Sequence, residues 1–187
     1  APIAVMYNLP TIKEPIYLTP ATIAKIFSGY ITNWDAPEIA ADNERTVKTP
    51  IFETKKITTT NKGKKVTKTV PVLDKNGKAK VKSYSTKTVN IDLPKQQITV
   101  WYRTDSSGTT ENFTNYLAKS APSVWTKAKN KVFKDSFPGN INDMSNLGRV
   151  VGAASSTGVS QLAGKTPYSI TYAEVNYAAA NKLKVGN

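Results

Sequence analysis

Residues 101–115 constrain this chain most, because they join a strand to a helix through a loop of small polar residues. The run 97–102 alternates polar and apolar residues and predicts a strand, whereas the apolar residues from Phe113 to Leu117 are spaced as one face of a helix. A helix start has free N–H groups and a partial positive charge, so it favours an anion. Arg103, at the strand end, adds a guanidinium that can bind an oxyanion at two points. The stretch therefore predicts an oxyanion site.

The loop between these two elements also has plain structural explanations. Asp105, two residues after Arg103, is equally typical of a surface ion pair. Ser107 and Thr109 are typical helix caps, and a cap uses only some of the free N–H groups of a first turn. An anion site and a capped helix beside an ion pair are therefore compatible, and both remain open. The same two explanations apply to the hydroxyl-rich segment 155–158, which opens another predicted helix.

Helix and strand signals alternate along the rest of the chain. We predict strands at 3–7, 97–102 and 168–172, and helices from Thr19 to Gly29, from Asp35 with a capping box to Glu38, at 109–119, from 121, at 155–163 and at 174–182. Such alternation indicates an α/β layer structure. We expect one α/β lobe, built from residues 1–44 and 97–187.

The segment 45–96 differs from this pattern in both charge and periodicity. It holds 14 Lys or Arg residues and three acids, and so accounts for most of the net charge of +13. Its Lys and Thr residues alternate with Val and Ile, and turn signals occur at 61–64 and 74–77. We predict antiparallel strands near 51–60, 65–73 and 79–91. Because so polar an alternation buries little, we expect a basic β-hairpin arm rather than a second core.

The composition argues against several classes of function. The chain has no histidine and no cysteine, which removes the commonest general base, the commonest metal ligand and all thiol chemistry. An enzyme acting on phosphate esters would need a nucleophile with a base or a metal cluster, and no such group of residues is apparent. No run of about 18 apolar residues is present, so no transmembrane helix is expected. We expect neither enzymatic activity nor a cofactor.

Four blocks of the sequence resemble the substrate-binding proteins of bacterial phosphate-specific ABC transporters. The run Arg-Thr-Asp-Ser-Ser-Gly-Thr-Thr at 103–110 resembles the family's phosphate-binding signature, and the segments 3–10, 18–40 and 165–174 resemble three of its other blocks. The resemblance implies one lobe, the second, of a two-lobe periplasmic-binding-protein-like (type II) fold. That lobe would have a central mixed β-sheet flanked by helices, here with an inserted β-hairpin arm. The family's first lobe has no counterpart in these residues.

The resemblance also implies roles for five residues of the loop. Arg103 would bind phosphate oxygens, and Asp105 would hold its guanidinium in place. Ser107 would donate its hydroxyl, with its N–H as a further candidate donor. Gly108 would donate its N–H, and Thr109 both its N–H and its hydroxyl. In the family, the carboxylate that accepts the proton of hydrogen phosphate and so rejects sulfate belongs to the first lobe. We therefore expect weak oxyanion binding with little preference for phosphate over sulfate.

The expected partners follow from the same resemblance. They are inorganic phosphate, the first lobe of the same protein and the permease subunits of an ABC transporter. The location would be extracytoplasmic, at the cell surface or in the periplasm, with a lipoprotein anchor on the full-length protein. The alternative is a cell-surface interaction module that binds an anionic polymer or membrane through the arm 45–96. The arm has few aromatic residues for stacking on bases, so no specific nucleic-acid partner is expected. The favoured explanation of its charge is a solvated hairpin whose lysines keep it soluble.

Overall fold

The computed structural model describes residues 1–186, and this part of the chain divides into two compact units. Within these residues, one unit comprises 1–43 with 91–186, and the other comprises Glu44–Asn90. In chain order the elements are β1 (Ile3–Tyr7), α1 (Pro20–Phe27), α2 (Pro37–Asp42), β2 (Arg45–Phe52), β3 (Thr54–Asn61), β4 (Lys64–Pro71), β5 (Val81–Val89), β6 (Thr99–Arg103), α3 (Gly108–Ser120), α4 (Phe133–Ser136), a 3-10 turn (Met144–Asn146), β7 (Val150–Ala153), α5 (Ser155–Lys165), β8 (Ser169–Glu174), α6 (Asn176–Ala180) and β9 (Lys184–Val185).

The larger unit is built on a five-stranded mixed sheet with the order β7-β6-β8-β1-β9. Strand β6 runs parallel to both of its neighbours, β7 and β8, whereas β1 is antiparallel to β8 and β9. The mixed α/β lobe expected from the sequence is therefore confirmed. Because β6, β7 and β8 are parallel, their carboxyl ends lie at the same edge of the sheet. Open α/β sheets bind ligands at that edge.

Aromatic side chains form the core between the sheet and helices α1 and α3. Phe113 of α3 stacks on Tyr172 of β8, with ring centroids 4.3 Å apart, and Phe27 of α1 meets Phe113 edge-on at 4.8 Å. Such aromatic pairs stabilise by about 1 kcal/mol beyond the area they bury. Phe113 and Tyr172 are only 4% and 0% exposed, so they fix the orientation of α3 on the sheet. The start of α3 is thereby fixed near the carboxyl end of β6.

Local capping signals correctly predicted the first helix but not the second. Thr19 caps α1 by accepting the N–H of Thr22 at 3.3 Å, with Pro20 at the first helical position, as expected. The predicted capping box of Asp35 and Glu38 is wrong. Helix α2 begins after Ala36, and no side chain caps it. Pro37 occupies the first helical position, so the helix starts two residues after Asp35, and Ala36 takes the N-cap position.

Two other predictions about the larger unit need correction, and two of its elements were missed. Residues 121–125 form a single turn after α3 and not a new helix. In this turn the N–H groups of Val124 and Trp125 both bond to the carbonyl of Ala121. The last helix covers only Asn176–Ala180, and the two-residue strand β9 follows it. The strand β7 and the short helix α4 were not predicted.

The smaller unit consists of two antiparallel ladders, in which β2 pairs with β5 and β3 with β4. The turn at Lys62-Gly63 joins β3 to β4, and both residues have positive φ, 52° and 81°, as a tight hairpin requires. Asp74 closes the second predicted turn by accepting the N–H groups of Asn76 and Lys78. The expected hairpins are thus present, but as four strands and not the three predicted. The chain changes partners at Glu53, whose N–H bonds to Lys80 and whose carbonyl accepts the N–H of Val72.

Candidate anion-binding site

The candidate site lies at the sheet edge where β6, β7 and β8 end. Arg103 is the last residue of β6 and pairs in register with Ala153, the last residue of β7. Glu174 is the last residue of β8. Helix α3 begins five residues after Arg103, and α5 begins two residues after Ala153. Parallel strands followed directly by helices thus bring one cation, one carboxylate and two helix starts together.

The side chains of Arg103 and Asp105 form a two-point ion pair. Arg103 Nε donates to Asp105 Oδ1 at 3.1 Å, and Nη2 donates to Oδ2 at 2.6 Å. The hydrogen-bonded guanidinium lowers the pKa of the Asp105 carboxyl from 3.8 to about 2. A guanidinium has five N–H donors. The third contact of Arg103, from Nη1 to the Ser156 hydroxyl at 3.3 Å, leaves two donors for a ligand.

Asp105 also holds the start of α5, because its Oδ1 accepts the backbone N–H of Ser155 at 3.0 Å. Ser155 has a φ of 67°, which non-glycine residues seldom adopt, and its own hydroxyl accepts the N–H of Gly158 at 3.1 Å. The segment 155–158 therefore caps its helix, which was one of the two explanations left open. The segment also contacts the Arg103–Asp105 pair, through the N–H of Ser155 and the hydroxyl of Ser156.

A glycine lets the strands at this edge approach each other closely. A Cβ atom on Gly152 of β7 would lie 2.4 Å from Thr104 Cγ2 and 3.1 Å from the ring of Tyr102. The N–H of Thr104 bonds to the carbonyl of Ala153 at 3.0 Å, so the loop that follows Arg103 runs beside the end of β7. A larger residue at 152 would push this loop away from the site.

Ser107 caps α3, and its polar groups are largely occupied within the fold. Its Oγ accepts the N–H of Thr110 at 3.0 Å, and its backbone N–H donates to the carbonyl of Lys131 at 3.0 Å. The Ser107 hydroxyl itself donates to Thr110 Oγ1 at 3.0 Å. Both donors predicted for Ser107 are therefore used within the fold, which corrects that part of the prediction. Gly108 and Thr109 occupy the first turn of α3, where a helix provides no internal acceptors for N–H groups. Gly108 is exposed.

A buried pair of hydroxyl groups, on Thr110 and Tyr172, connects two elements of the site. The Tyr172 hydroxyl lies 2.7 Å from Thr110 Oγ1 and also accepts the backbone N–H of Arg103 at 3.3 Å. Burial raises the pKa of Tyr172 to about 12, so this hydroxyl stays neutral and acts only as a hydrogen-bonding group. It links the end of β6 to the first turn of α3. Neither Thr110 nor Tyr172 was predicted from the sequence to belong to the site.

Glu174, a second acidic residue at the site, was not predicted from the sequence, although it lies in one of the four resembling blocks. Thr109 Oγ1 donates to Glu174 Oε1 at 2.5 Å. Within residues 1–186, the other carboxylate oxygen, Oε2, is buried and makes no hydrogen bond. Burial alone would raise the pKa of Glu174, but the hydroxyl of Thr109, the nearby hydroxyl of Ser156 and the charge of Arg103 together lower it.

The structure brings all five residues predicted for the site to this edge. Arg103 and Asp105 form the predicted pair, while Ser107, Gly108 and Thr109 form the start of α3. Their hydrogen bonds within the protein are thus observed, whereas their contacts with an anion stay a prediction. Among residues 1–186, no group of three or more acidic residues is placed to hold a metal ion. No helix in the same range is long and apolar enough to cross a membrane.

The sheet order and the polar edge define an α/β lobe of the binding-protein type. The family described as PBP superfamily domain matches residues 1–186. The chain belongs to that superfamily.

The curated relatives agree with the resemblance seen in the sequence. The chain is 31% identical over 186 residues to phosphate-binding protein PstS 3 of Mycobacterium tuberculosis, a match that covers 100% of this chain and 35% of that protein. It is 28% identical over 184 residues to phosphate-binding protein PstS of Methanocaldococcus jannaschii, with coverages of 98% and 35%. The chain thus spans about a third of the length of the relatives it matches. These relatives are named as binding proteins and not as enzymes.

Solved structures support the fold. An ancestral soluble variant of the human phosphate binding protein matches with a TM-score of 0.56 at 20% identity, over 94% of this chain and 33% of that one. A high-affinity periplasmic phosphate-binding protein, bound with phosphate, matches with a TM-score of 0.56 at 22% identity, over 95% of this chain and 32% of that one. In each case the match corresponds to one part of a larger molecule.

Proposed function

We propose that this chain binds inorganic phosphate non-covalently, as one lobe of the substrate-binding protein of an ABC phosphate transporter. The observation that carries the proposal is the Arg103–Asp105 ion pair beside the first turn of α3. The pair holds the guanidinium in place and leaves two of its donors available, and the helix start adds free N–H groups and a favourable dipole. The phosphate-binding relatives support the choice of anion.

The rest of the proposal concerns parts outside this chain, because the chain spans only about a third of its relatives' length. A second lobe would complete the cleft, and permease subunits would receive the phosphate. We also propose that residues 44–90 are an insertion in the lobe, and that the complete protein works outside the cytoplasm, attached as a lipoprotein. A binding role with no chemical step fits a chain that has no histidine and no cysteine.

Phosphate titration of the chain, followed by NMR of the backbone amides, tests the binding proposal. Gly108 and Thr109 should show saturable shifts, in the weak range expected for half of a cleft. Arg103→Ala should weaken binding at least tenfold, because a hydrogen bond to a charged group contributes about 1.5–3 kcal/mol. Arg149→Ala is the matched control, since the Arg149 side chain donates to Ser145 and Asn146 on another loop. The absence of any saturable shift in the unmodified chain would refute the proposal.

A second candidate function concerns the unit 44–90, for which we propose contact with an anionic polymer or membrane surface. This unit holds 13 Lys or Arg residues and three acids. Nearly all residues of its four strands are exposed, including Phe52 at 46% and Tyr84 at 59%. Each cation near an anionic bilayer contributes about 1 kcal/mol, and salt screens this attraction. A solvated hairpin with no partner is the competing explanation.

Replacing residues 46–88 by a short Gly-Ser turn separates the two functions. Binding to vesicles rich in anionic phospholipid should disappear, while phosphate-induced shifts at Gly108 should persist. Neutral vesicles provide the control for non-electrostatic adsorption. Unchanged binding to anionic vesicles after the replacement would refute the role proposed for the arm.

A further inference from the structure

The hairpin formed by β3 and β4 carries the highest density of positive charge in the smaller unit. Its residues 54–71 include six lysines and no acidic residue, whereas the rest of the unit holds seven Lys or Arg residues and three acids. A cluster of lysines without neighbouring carboxylates attracts an anionic partner, and the attraction to an anionic bilayer grows with each added lysine. The hairpin is therefore the part of the unit best suited to such a partner.

The pairing register of β3 and β4 places the apolar residues of the hairpin on one face. Side chains alternate between the two faces of a ribbon, and residues directly opposite each other share a face. Ile57 lies opposite Lys68, while Val66 and Val70 occupy the positions two residues before and after Lys68. The three apolar side chains therefore lie together. The other face has threonine at five of its eight positions and lysine at two.

The apolar face is open to solvent. Ile57 is 42% exposed and Val66 is 38% exposed, and Val70 is partly exposed. On the polar face, the hydroxyls of Thr58 and Thr67 hydrogen-bond to each other at 3.3 Å. A two-stranded hairpin is only marginally stable in water unless one face packs against another layer. The apolar face is thus the one that gains most from a partner.

The ladder of β2 and β5 in the same unit distributes its apolar residues differently. Val47 is 46% exposed, and Tyr84, which pairs with Pro50, is 59% exposed. Positions 47 and 50 point to opposite faces, because side chains alternate along a strand. This ladder therefore exposes large apolar groups on both faces, whereas the hairpin of β3 and β4 has one apolar and one polar face.

A bilayer surface matches this hairpin better than a soluble polyanion does. The apolar face also carries Lys55, Lys64 and Lys68, and lysine can keep its ammonium group among lipid phosphates while apolar neighbours enter the acyl boundary. A soluble polyanion would neutralise the lysines but would leave Ile57 and Val66 in water. Charge and apolar surface together therefore favour a layered partner.

We propose that the hairpin 54–71 binds flat on the surface of an anionic lipid bilayer, with Ile57, Val66 and Val70 inserted at the interface and the threonine face toward water. The inference rests on the role proposed above for the unit 44–90. It goes further by choosing the membrane over a soluble polymer and by assigning the face that makes contact.

The first test uses Ile57→Thr/Val66→Thr/Val70→Thr, which keeps every charge and the β-branched shape of the three side chains. Binding of the 187-residue chain to phosphatidylglycerol vesicles should weaken at least about tenfold, because less apolar surface leaves water on binding. Binding to long-chain inorganic polyphosphate should change less than about twofold, since this contact is electrostatic. Thr58→Ser/Thr67→Ser/Thr69→Ser removes methyl groups from the other face and should bind vesicles like the unmodified chain.

The second test reads the orientation of the hairpin directly. The chain has no cysteine, so Ile57→Cys and Thr58→Cys each create a single site for an environment-sensitive fluorophore. On phosphatidylglycerol vesicles, the emission of a label at 57 should shift to the blue, while that of a label at 58, on the opposite face, should stay close to its value in water. Equal emission shifts at the two positions would overturn the proposed orientation.

The possible failures can be told apart. If the Ile57→Thr/Val66→Thr/Val70→Thr variant binds vesicles like the unmodified chain, or loses vesicles and polyphosphate alike, the role of the apolar face is refuted. If the unmodified chain binds polyphosphate but not vesicles, this inference fails and the polymer form of the proposed function stands. If it binds neither, both are refuted.

Discussion

The Asp105 carboxylate accepts the backbone N–H of Ser155 at 3.0 Å, although 50 residues separate the two along the chain. The same carboxylate binds the Arg103 guanidinium at two points. Asp105 therefore holds the cation of the site and the start of α5 in one arrangement. Its ionisation state couples the geometry of the site to the stability of the fold.

We expect Asp105 to contribute to the loss of folding stability at acidic pH. Its pKa in the folded chain, about 2, lies below the value of 3.8 for an unperturbed carboxyl. The stabilisation is therefore fully present above pH 4 and is lost as the pH falls toward 2. Its side chain is 38% exposed, so solvent screening reduces the contribution to about 1 kcal/mol.

Urea unfolding at pH 5 and at pH 2.5 measures this contribution. In Asp105→Asn, the loss of unfolding free energy between the two pH values should be about 1 kcal/mol smaller than in the unmodified chain. Asp92→Asn, at an exposed carboxyl without an ion pair among the described residues, should keep the original pH dependence. Equal pH dependence in both variants would contradict the role of Asp105.

A second prediction concerns two glycines that differ in the space around them. Gly152→Ala should destabilise the chain by about 2 kcal/mol, because the new Cβ would lie 2.4 Å from Thr104 Cγ2. Gly158→Ala should instead stabilise it by about 0.5–1 kcal/mol, since its nearest neighbour would be 3.7 Å away and alanine favours a helix. Thermal unfolding of both variants checks the two signs, and a stabilising effect at 152 would contradict the packing described.

Much of the site region could be predicted from local signals. Alternation predicted β6, helical spacing and a serine cap predicted α3, and both elements adjoin Arg103 in sequence. The nearness of Asp105 to Arg103 made their ion pair a natural expectation. These contacts can be predicted without knowing the order of the strands in the sheet.

The contacts that were missed depend on the sheet order. Strand β7 is only four residues long and has no alternating pattern, so it is defined by its pairing with β6. Glu174 reaches Thr109 only because β8 lies next to β6 and runs parallel to it. The Asp35 capping box failed for a different reason, since Pro37 fixed the helix start at a later residue.

The N-cap of α1 offers a third prediction. The Thr19 hydroxyl accepts the N–H of Thr22 and contacts the Asp42 carboxylate at 3.2 Å. Thr19→Ala should lower the unfolding free energy by about 1 kcal/mol, while Thr19→Ser should retain most of it. Thr157→Ala makes the same chemical change at an exposed position within α5 and should have little effect. Urea midpoints at constant slope provide the measurement.

The last prediction concerns Asn43, a buried side chain that is 2% exposed. Its Oδ1 accepts the N–H of Tyr17 at 2.7 Å, and its Nδ2 donates to the carbonyls of Tyr17 and Ile39 at 3.0 and 2.8 Å. It therefore joins the segment before α1 to the end of α2. Asn43→Ala would leave three backbone groups without partners and should destabilise the chain by about 3 kcal/mol.

Asn43→Asp separates the loss of hydrogen bonds from the loss of volume. The carboxylate keeps one acceptor, but it faces two carbonyls without a proton to donate, and burial also disfavours its charge. Its folded-state pKa should rise, so the destabilisation should grow as the pH increases from 3 to 7. Asn142→Ala, at an exposed asparagine, is the control for amide removal. Urea unfolding at both pH values measures these effects, and a pH-independent Asn43→Asp variant would contradict the buried amide network.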